Sequence, residues 1–106
     1  MGFLQDMAAG TEEAIRICSV LQQHPDLPAC TINPPQDHFC FSVGHPDGKH
    51  GVSISCCVWK QYGEYEVALL EDGGLTYDES LDYEDVRRFV SVDELVEEIT
   101  RLFSQW

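Results

Sequence analysis

Apolar residues in the first part of the chain recur at steps of three and four, which predicts a helix over residues 3–23. Gly10 lies inside this pattern and costs about 1 kcal/mol relative to alanine, so a helix start near Thr11 is an alternative. Pro25 disfavours helical geometry at His24 and ends the helix. The predicted apolar stripe consists of Leu4, Met7, Ala8, Thr11, Ala14, Ile15, Cys18 and Leu21.

Two alternating segments, residues 38–44 and 51–59, predict a β-hairpin. The dipeptide Asp47-Gly48 between them suits a two-residue type I′ turn, in which both residues need positive φ. This turn sets a register that places the apolar residues of both strands on one side. The predicted pairs are Val43 with Val52, Phe41 with Ile54, and Phe39 with Cys56.

Shorter segments complete the pattern of strands. Residues 29–33 and 62–70 are predicted strands, and a turn at residues 71–74 leads into residues 75–77. Residues 78–85 are predicted to be an acidic loop. Residues 87–90 form a candidate edge strand.

A second helix is predicted after Ser91, since Ser91-Val92-Asp93-Glu94 matches a capping box in which Glu94 reaches back to the Ser91 amide. Its apolar face contains Val92, Leu95, Val96, Ile99, Leu102 and Phe103, and its polar face contains Asp93, Glu94, Glu97 and Glu98. The order of elements predicts one α+β domain over residues 1–106. We expect an antiparallel sheet of four to five strands, with the N-terminal and C-terminal helices packed on one face.

Charge is distributed unevenly along this chain of 106 residues, whose formal net charge is −13. The first 63 residues carry six acidic residues against three basic ones, whereas the remaining 43 carry thirteen against three. A field of this sign argues against unassisted binding to nucleic acid or to an anionic membrane, and it allows a cationic partner. The hydrophobic fraction of 43% is that of a globular protein, so the acidity does not indicate disorder.

Cysteine usage fits a reducing environment. No stretch approaches the roughly 18 apolar residues of a membrane-spanning helix, and the first ten residues lack the basic region of a secretion signal. A cytoplasmic location is therefore expected. The five cysteines are an odd number, and in that compartment they are predicted to be buried thiols rather than disulfides.

The polar face of the predicted hairpin offers one alternative chemistry. His38 lies opposite Cys57 in the predicted register, and Cys40 is diagonal to it. Cross-strand neighbours lie about 5 Å apart, so two or three of these side chains could reach one zinc ion. No Cys-x-x-Cys or His-x-x-x-His spacing supplies a fourth ligand, and no thiol has an evident base beside it. No cofactor is expected.

Aromatic residues accompany the acids in the C-terminal half, a composition typical of a protein contact. The segment from Glu71 to Asp85 has seven acidic residues in fifteen positions. Trp106 requires either a firmly docked helix or a second subunit to cover it, so a homodimer is also possible. The predicted partner-binding residues are Glu71, Asp72, Tyr77, Asp78, Glu79, Asp82, Tyr83, Glu84, Asp85 and Trp106.

The leading hypothesis is a noncatalytic acidic module that contacts a protein partner, and its field would steer a basic one. Inhibitor, immunity and phage or mobile-element accessory proteins share this size and charge. A nucleic-acid mimic is a sharper version, which requires carboxylates spaced like phosphates. The alternative is a small metal- or ligand-binding protein, or an enzyme, that uses the polar sheet face around His38, Cys40 and Cys57.

Overall fold

A computed structural model describes residues 3–35, 39–56 and 65–106. Helix α1 spans Phe3–Gln22 and helix α2 spans Val92–Phe103. Between them lie the strands β1 (Thr31–Asn33), β2 (Cys40–Gly44), β3 (His50–Cys56), β4 (Tyr65–Glu71), β5 (Gly74–Thr76) and β6 (Arg87–Phe89). A short 3₁₀ helix, Glu79–Leu81, connects the last two strands. In the described part of the chain, neither helix is long and apolar enough to cross a membrane.

The six strands form one antiparallel sheet in the order β1-β2-β3-β4. Strands β5 and β6 both pair with β4, on the side that β3 leaves free. β5 pairs with residues 69–71 of β4, and β6 pairs with residues 65–67. The predicted α+β architecture is therefore confirmed, and the edge strand expected at residues 87–90 is present as Arg87–Phe89.

The predicted hairpin register is confirmed, since Val43 pairs with Val52 and Phe41 with Ile54. The predicted type I′ turn is wrong. Only Gly48 has positive φ there, at 74°, and its amide donates to the carbonyl of His45 at 3.1 Å. The loop is longer than two residues because the amide of His45 donates to the His50 carbonyl, at 2.8 Å, and four residues lie between them. The lengthening is symmetrical, so the register does not change.

One face of the sheet forms the hydrophobic core with both helices. Helix α1 contributes Ala14, Ile17, Cys18 and Leu21, which lie at the spacing of one helical face. The sequence assigned Ile15 to this stripe, but its side chain is 51% exposed, and Ile17 is buried instead. Buried residues of the sheet and α2 are Phe41, Val43, Val52, Ile54, Cys56, Tyr65, Val67, Leu69, Leu95, Val96, Ile99, Leu102 and Phe103.

Helix α1 passes through Gly10 without interruption, so the alternative start near Thr11 is wrong. A Cβ atom at position 10 would lie 2.9 Å from Phe39 Cβ and 3.1 Å from the carbonyl oxygen of Cys56. Glycine is therefore required for the helix to approach the sheet this closely, and its lower helix propensity is offset by that contact.

The cap of α2 agrees with the sequence in part. Ser91 Oγ accepts a hydrogen bond from the Glu94 amide at 3.2 Å, as predicted for an N-cap. The Glu94 carboxylate accepts from the Val90 amide at 2.8 Å, one residue before the predicted Ser91 amide. Glu94 thus ties the end of the segment after β6 to the first turn of α2.

Candidate functional site

The acidic segment between β5 and β6 is a folded turn. The backbones of Asp78 and Tyr83 exchange two hydrogen bonds of 2.9 Å, which close the segment at its base. The Asp78 carboxylate accepts from the Ser80 amide at 3.0 Å and caps the 3₁₀ helix, and Asp82 ends that helix with a left-handed backbone (φ 66°). Residues 78–83 therefore hold a defined shape, which the sequence did not predict for an acidic loop.

Tyr83 attaches this turn to helix α2. Its side chain is completely buried, and its hydroxyl donates a 2.5 Å hydrogen bond to Oε2 of Glu98. The sequence placed Glu98 on the solvent face of α2, but this carboxylate is only 5% exposed. Glu98 borders the apolar stripe, three residues after Leu95 and four before Leu102, so it lies beside buried positions of α2.

Two arginines neutralise the buried carboxylate. Arg101 donates to Glu98 through Nε at 2.6 Å and through Nη2 at 3.0 Å, and the same Nη2 donates to the Leu81 carbonyl at 2.9 Å. Arg87 Nη1 donates to Oε2 at 3.2 Å. The Arg87 guanidinium also lies over the Tyr83 ring, 5.7 Å from its centroid. Side chains from β6, the turn and α2 thus share one carboxylate.

Protonation follows from these contacts. Burial opposes ionisation of Glu98, but the hydrogen bonds from Arg101 and Tyr83 outweigh it and hold the pKa of Glu98 below its usual value. Burial, and then the hydrogen bond to Glu98, raise the pKa of Tyr83, so its hydroxyl remains a donor. The network is a satisfied structural cluster, in which every one of these groups already has a partner.

Tyr83 is therefore removed from the predicted partner-binding residues, because its ring and hydroxyl are both enclosed. Glu71 is partly engaged, since its carboxylate pairs with Lys49 Nζ at 3.1 Å. Asp78 is half-buried and caps the 3₁₀ helix. The predicted residues that remain exposed on this side of the molecule are Asp72, Tyr77, Glu79, Asp82, Glu84 and Asp85.

Every lysine and arginine in the described ranges pairs with a carboxylate. Besides the two arginines on Glu98 and the Lys49–Glu71 pair, Arg16 contacts Glu13 and Arg88 contacts Glu66. Such surface pairs contribute little to stability, about 0–1 kcal/mol each. Their larger consequence is electrostatic, because the other exposed acids of the described ranges form no salt bridge with a lysine or arginine, although Asp72 still interacts with Lys49 and Asp82 with Arg101.

Two large apolar side chains accompany these acids. Leu75 in β5 is 66% exposed and Tyr77, just after β5, is 64% exposed. Leu75 pairs with Leu70, which alternates with the buried Leu69, so both leucines lie on the sheet face opposite the helices. The sequence pointed to Tyr77 but not to Leu75, whose exposure follows from the position of β5 at an edge. We refer to Asp72, Leu75, Tyr77, Glu79, Asp82, Glu84 and Asp85 as the acidic edge.

Trp106 is half-buried by residues of its own chain. Its indole stacks on His50, with ring centroids 5.0 Å apart and an angle of 12°, and it contacts Phe103 at 5.6 Å. His45 Nε2 lies 3.2 Å from the Phe103 carbonyl oxygen. The end of α2 is thus docked on the β2–β3 turn, and Trp106 needs no second subunit to cover it.

The polar sheet face is described only in part. His38 and Cys57, two of the three proposed zinc ligands, lie outside the described residues. Cys40 Sγ lies 3.1 Å from Ser55 Oγ on this face. Across the ranges 3–35, 39–56 and 65–106, no group of three or more His, Cys, Asp or Glu side chains is arranged to hold a metal ion.

The described cysteines are free thiols: Cys18, Cys30, Cys40 and Cys56. Burial raises the pKa of Cys18 and Cys30, and it raises the pKa of Cys56 to about 12. A protonated, enclosed thiol is a poor nucleophile, since the thiolate is the reactive form. Packing accounts for these three side chains.

A shallow cleft of about 380 Å³ lies between the end of α1 and β1. Its apolar walls are Leu27, Pro28, Ala29 and Ile32, and its polar lining residues are Gln22, His24 and Cys30. His24 Nε2 lies 3.1 Å from Asp93 Oδ1, so the imidazole is already held by a carboxylate. Burial raises the pKa of the Cys30 thiol, and both ring nitrogens of His24 are engaged, one by the Asp26 amide and the other by the Asp93 carboxylate.

Comparison with models of known protein families, with curated proteins and with solved structures found no match for this chain. The function is therefore argued from the geometry of the molecule.

Proposed function

We propose that this protein is a noncatalytic interaction module that binds a basic protein through the acidic edge. One observation carries the proposal: every described lysine and arginine pairs with a carboxylate, whereas in the described ranges no salt bridge joins the exposed acids beside Leu75 and Tyr77 to a basic side chain. The surface that remains is negative and contains two apolar contact residues.

In protein interfaces, charged and apolar residues have different roles, and the acidic edge contains both kinds. Uncompensated charge steers an oppositely charged partner and raises the association rate, whereas apolar side chains at the centre of a contact provide most of the binding energy. Tyr77 is of the residue type enriched at such centres, with an apolar ring and a hydroxyl that can remain hydrated. Nucleic acid is negatively charged, so the acidic edge would repel it.

The buried network supports the proposal by fixing the shape of the surface. Tyr83, Glu98 and Arg101 hold the turn of residues 78–83, which carries Glu79 and Asp82 and is followed directly by Glu84 and Asp85. A surface whose backbone is already ordered loses less conformational entropy on binding than a free loop does.

The test compares two variants with the same net charge. Glu84→Lys with Asp85→Lys reverses two acids of the acidic edge, and Glu12→Lys with Asp26→Lys reverses two exposed acids elsewhere. Each protein is immobilised and exposed to lysate at low and high salt, and retained proteins are identified. We expect a basic protein to bind the wild type and the Glu12/Asp26 variant, to be lost from the Glu84/Asp85 variant, and to be released by salt.

Equal retention by all three proteins would show that the acidic edge is not the binding surface. Native mass spectrometry of the wild type provides the competing outcome. A bound metal ion or small ligand, with no captured protein, would support the alternative of a ligand-binding protein and contradict the proposal.

A further inference from the structure

Strand β5 presents its backbone to solvent at the edge of the sheet. The amide of Asp72, just after β4, donates to the Lys49 carbonyl at 2.8 Å. The backbone groups of even-numbered residues of β4 therefore point toward β3, and those of odd-numbered residues point toward β5. Leu69 pairs with Thr76 and Glu71 with Gly74, which makes these the hydrogen-bonded pairs with β5. The N–H and C=O of Leu75, between Gly74 and Thr76, consequently point away from the sheet.

The backbone of the next alternate residue, Tyr77, makes no hydrogen bond within the described ranges. Leu75 and Tyr77 thus combine two properties: their side chains are among the most exposed apolar ones, and their backbone groups are available. Exposed side chains and free backbone groups at residues i and i+2 are typical of a strand edge to which a partner adds a further strand. The main-chain hydrogen bonds then provide affinity, and the alternate side chains provide specificity. Proteins ordinarily protect such edges.

Charge selects among the possible occupants. Asp72 lies before Leu75, and Glu79 follows Tyr77, and both are exposed. A second copy would bring the same acids alongside, in a chain whose formal net charge is −13. Like charges facing each other across paired strands are destabilising, whereas opposite charges stabilise the pair. An extended segment that carries Lys or Arg beside its strand residues complements this edge.

We propose that β5 is a docking strand that pairs, through the backbone of Leu75 and the side chains of Leu75 and Tyr77, with an extended basic segment of a partner protein. The inference rests on the proposed function and adds the mode of recognition to it. Addition at β5 lengthens the sheet by one strand beyond its present edge.

The probe is the peptide Lys-Lys-Thr-Val-Thr-Val-Thr-Val-Lys-Lys, and the readout is amide hydrogen exchange of ¹⁵N-labelled protein by NMR. At saturating peptide we expect exchange of the Leu75 amide to slow by about tenfold or more, because it becomes a strand hydrogen bond. An analogue with N-methylated alternate residues, which lacks the donors needed for pairing, should give no such protection. An analogue with Glu in place of the four Lys should not bind.

Leu75→Pro provides the matching protein variant. Proline is tolerated where the N–H of an edge strand faces solvent, so the fold should persist while peptide binding is lost. Leu75→Ala is its control, because it keeps the N–H and should only weaken binding. The N-methylated peptide gives the same information without any change to the protein.

The outcomes separate this proposal from the proposed function. Two results overturn the role of β5: salt-dependent binding of the Lys peptide without protection of the Leu75 amide, or equal binding of the N-methylated analogue. Either result still agrees with a basic partner for the acidic edge. Equal binding of the Glu peptide contradicts both. No binding by any peptide overturns the role of β5, and the Glu84/Asp85 capture experiment then decides the proposed function independently. Self-association that Leu75→Pro abolishes would make a second copy the occupant and overturn the proposal.

Discussion

The hydroxyl of Tyr83 and the carboxylate of Glu98 meet in the interior at 2.5 Å, between a turn and a helix fifteen residues apart in sequence. This contact joins the most acidic surface segment to the hydrophobic core. The Glu98 carboxylate can stay charged inside the protein because Arg87 and Arg101 both pair with it. A buried carboxylate with these three partners is tolerated, and the loss of one partner weakens the compensation of its charge.

Removing the Tyr83 hydroxyl should destabilise the protein with little change in packing. Tyr83→Phe is expected to lower the free energy of unfolding by about 1–2 kcal/mol, because Glu98 loses a short hydrogen bond in a buried site. Urea denaturation followed by circular dichroism measures the effect. Tyr77→Phe, at an exposed position, is the control and should be close to neutral. Equal effects of the two substitutions would contradict the assignment of Tyr83 to the network.

Glu98→Gln should destabilise the protein in a manner that depends on pH. We expect a loss of about 1–3 kcal/mol at pH 7, since the two arginines keep their positions but lose the charge between them. The pKa of Glu98 is lowered in the folded state, so the unfolded chain binds the proton more readily. The stabilisation is therefore complete above the usual carboxyl pKa of 4.5 and is lost as pH falls through the lowered value.

The measurement for this second substitution is the difference in unfolding free energy between wild type and Glu98→Gln at several pH values. The difference should be constant near neutrality and shrink in acid, where the wild-type carboxyl is itself protonated. Glu97→Gln, at the exposed neighbour, should show neither the loss nor the pH dependence. A difference that grew as the pH fell would have the wrong sign for a lowered pKa.

Gly10→Ala should reduce stability even though alanine is the better helix former. The propensity gain is about 1 kcal/mol, but the new Cβ would lie 2.9 Å from Phe39 Cβ and 3.1 Å from the Cys56 carbonyl oxygen. Overpacking of this kind costs about 1–3 kcal/mol, so a net loss is expected on thermal or urea unfolding. Ser19→Ala, on the exposed side of the same helix, should be neutral or slightly stabilising. A stabilised Gly10→Ala protein would rule out the close approach.

Trp106→Ala should loosen the contact between the end of α2 and the β2–β3 turn. The indole stacks on His50 and contacts Phe103, so its removal is expected to cost about 1–2 kcal/mol. Its NMR signature is a shift of the His45 and His50 ring resonances. Gln105→Ala, at an exposed neighbour, is the control. Unchanged histidine resonances in the Trp106 variant would contradict the docking.

The sequence located part of the acidic edge. Its exposed acids and Tyr77 were predicted from composition, since dense carboxylates without apolar periodicity indicate a surface. Tyr83 and Leu75 were not assigned correctly, because burial of a tyrosine beside acids, or exposure of a leucine, depends on which element covers it. Glu98 was assigned to solvent for the same reason: helical periodicity places it at the border of the apolar stripe, where neighbouring elements decide its burial.

Interactions between residues close in sequence determined the helices and strands of this protein. Alternation and helical spacing predicted the strands and the capped second helix, and the hairpin register held although its turn type was wrong, because the longer loop has the same centre. The tertiary structure alone decided which carboxylate is buried, why Gly10 is required, and which strand edge remains open. Those properties arise from residues distant in the chain, as between Gly10 and Phe39 or Tyr83 and Glu98, whose contact exists only once both helices pack on the sheet.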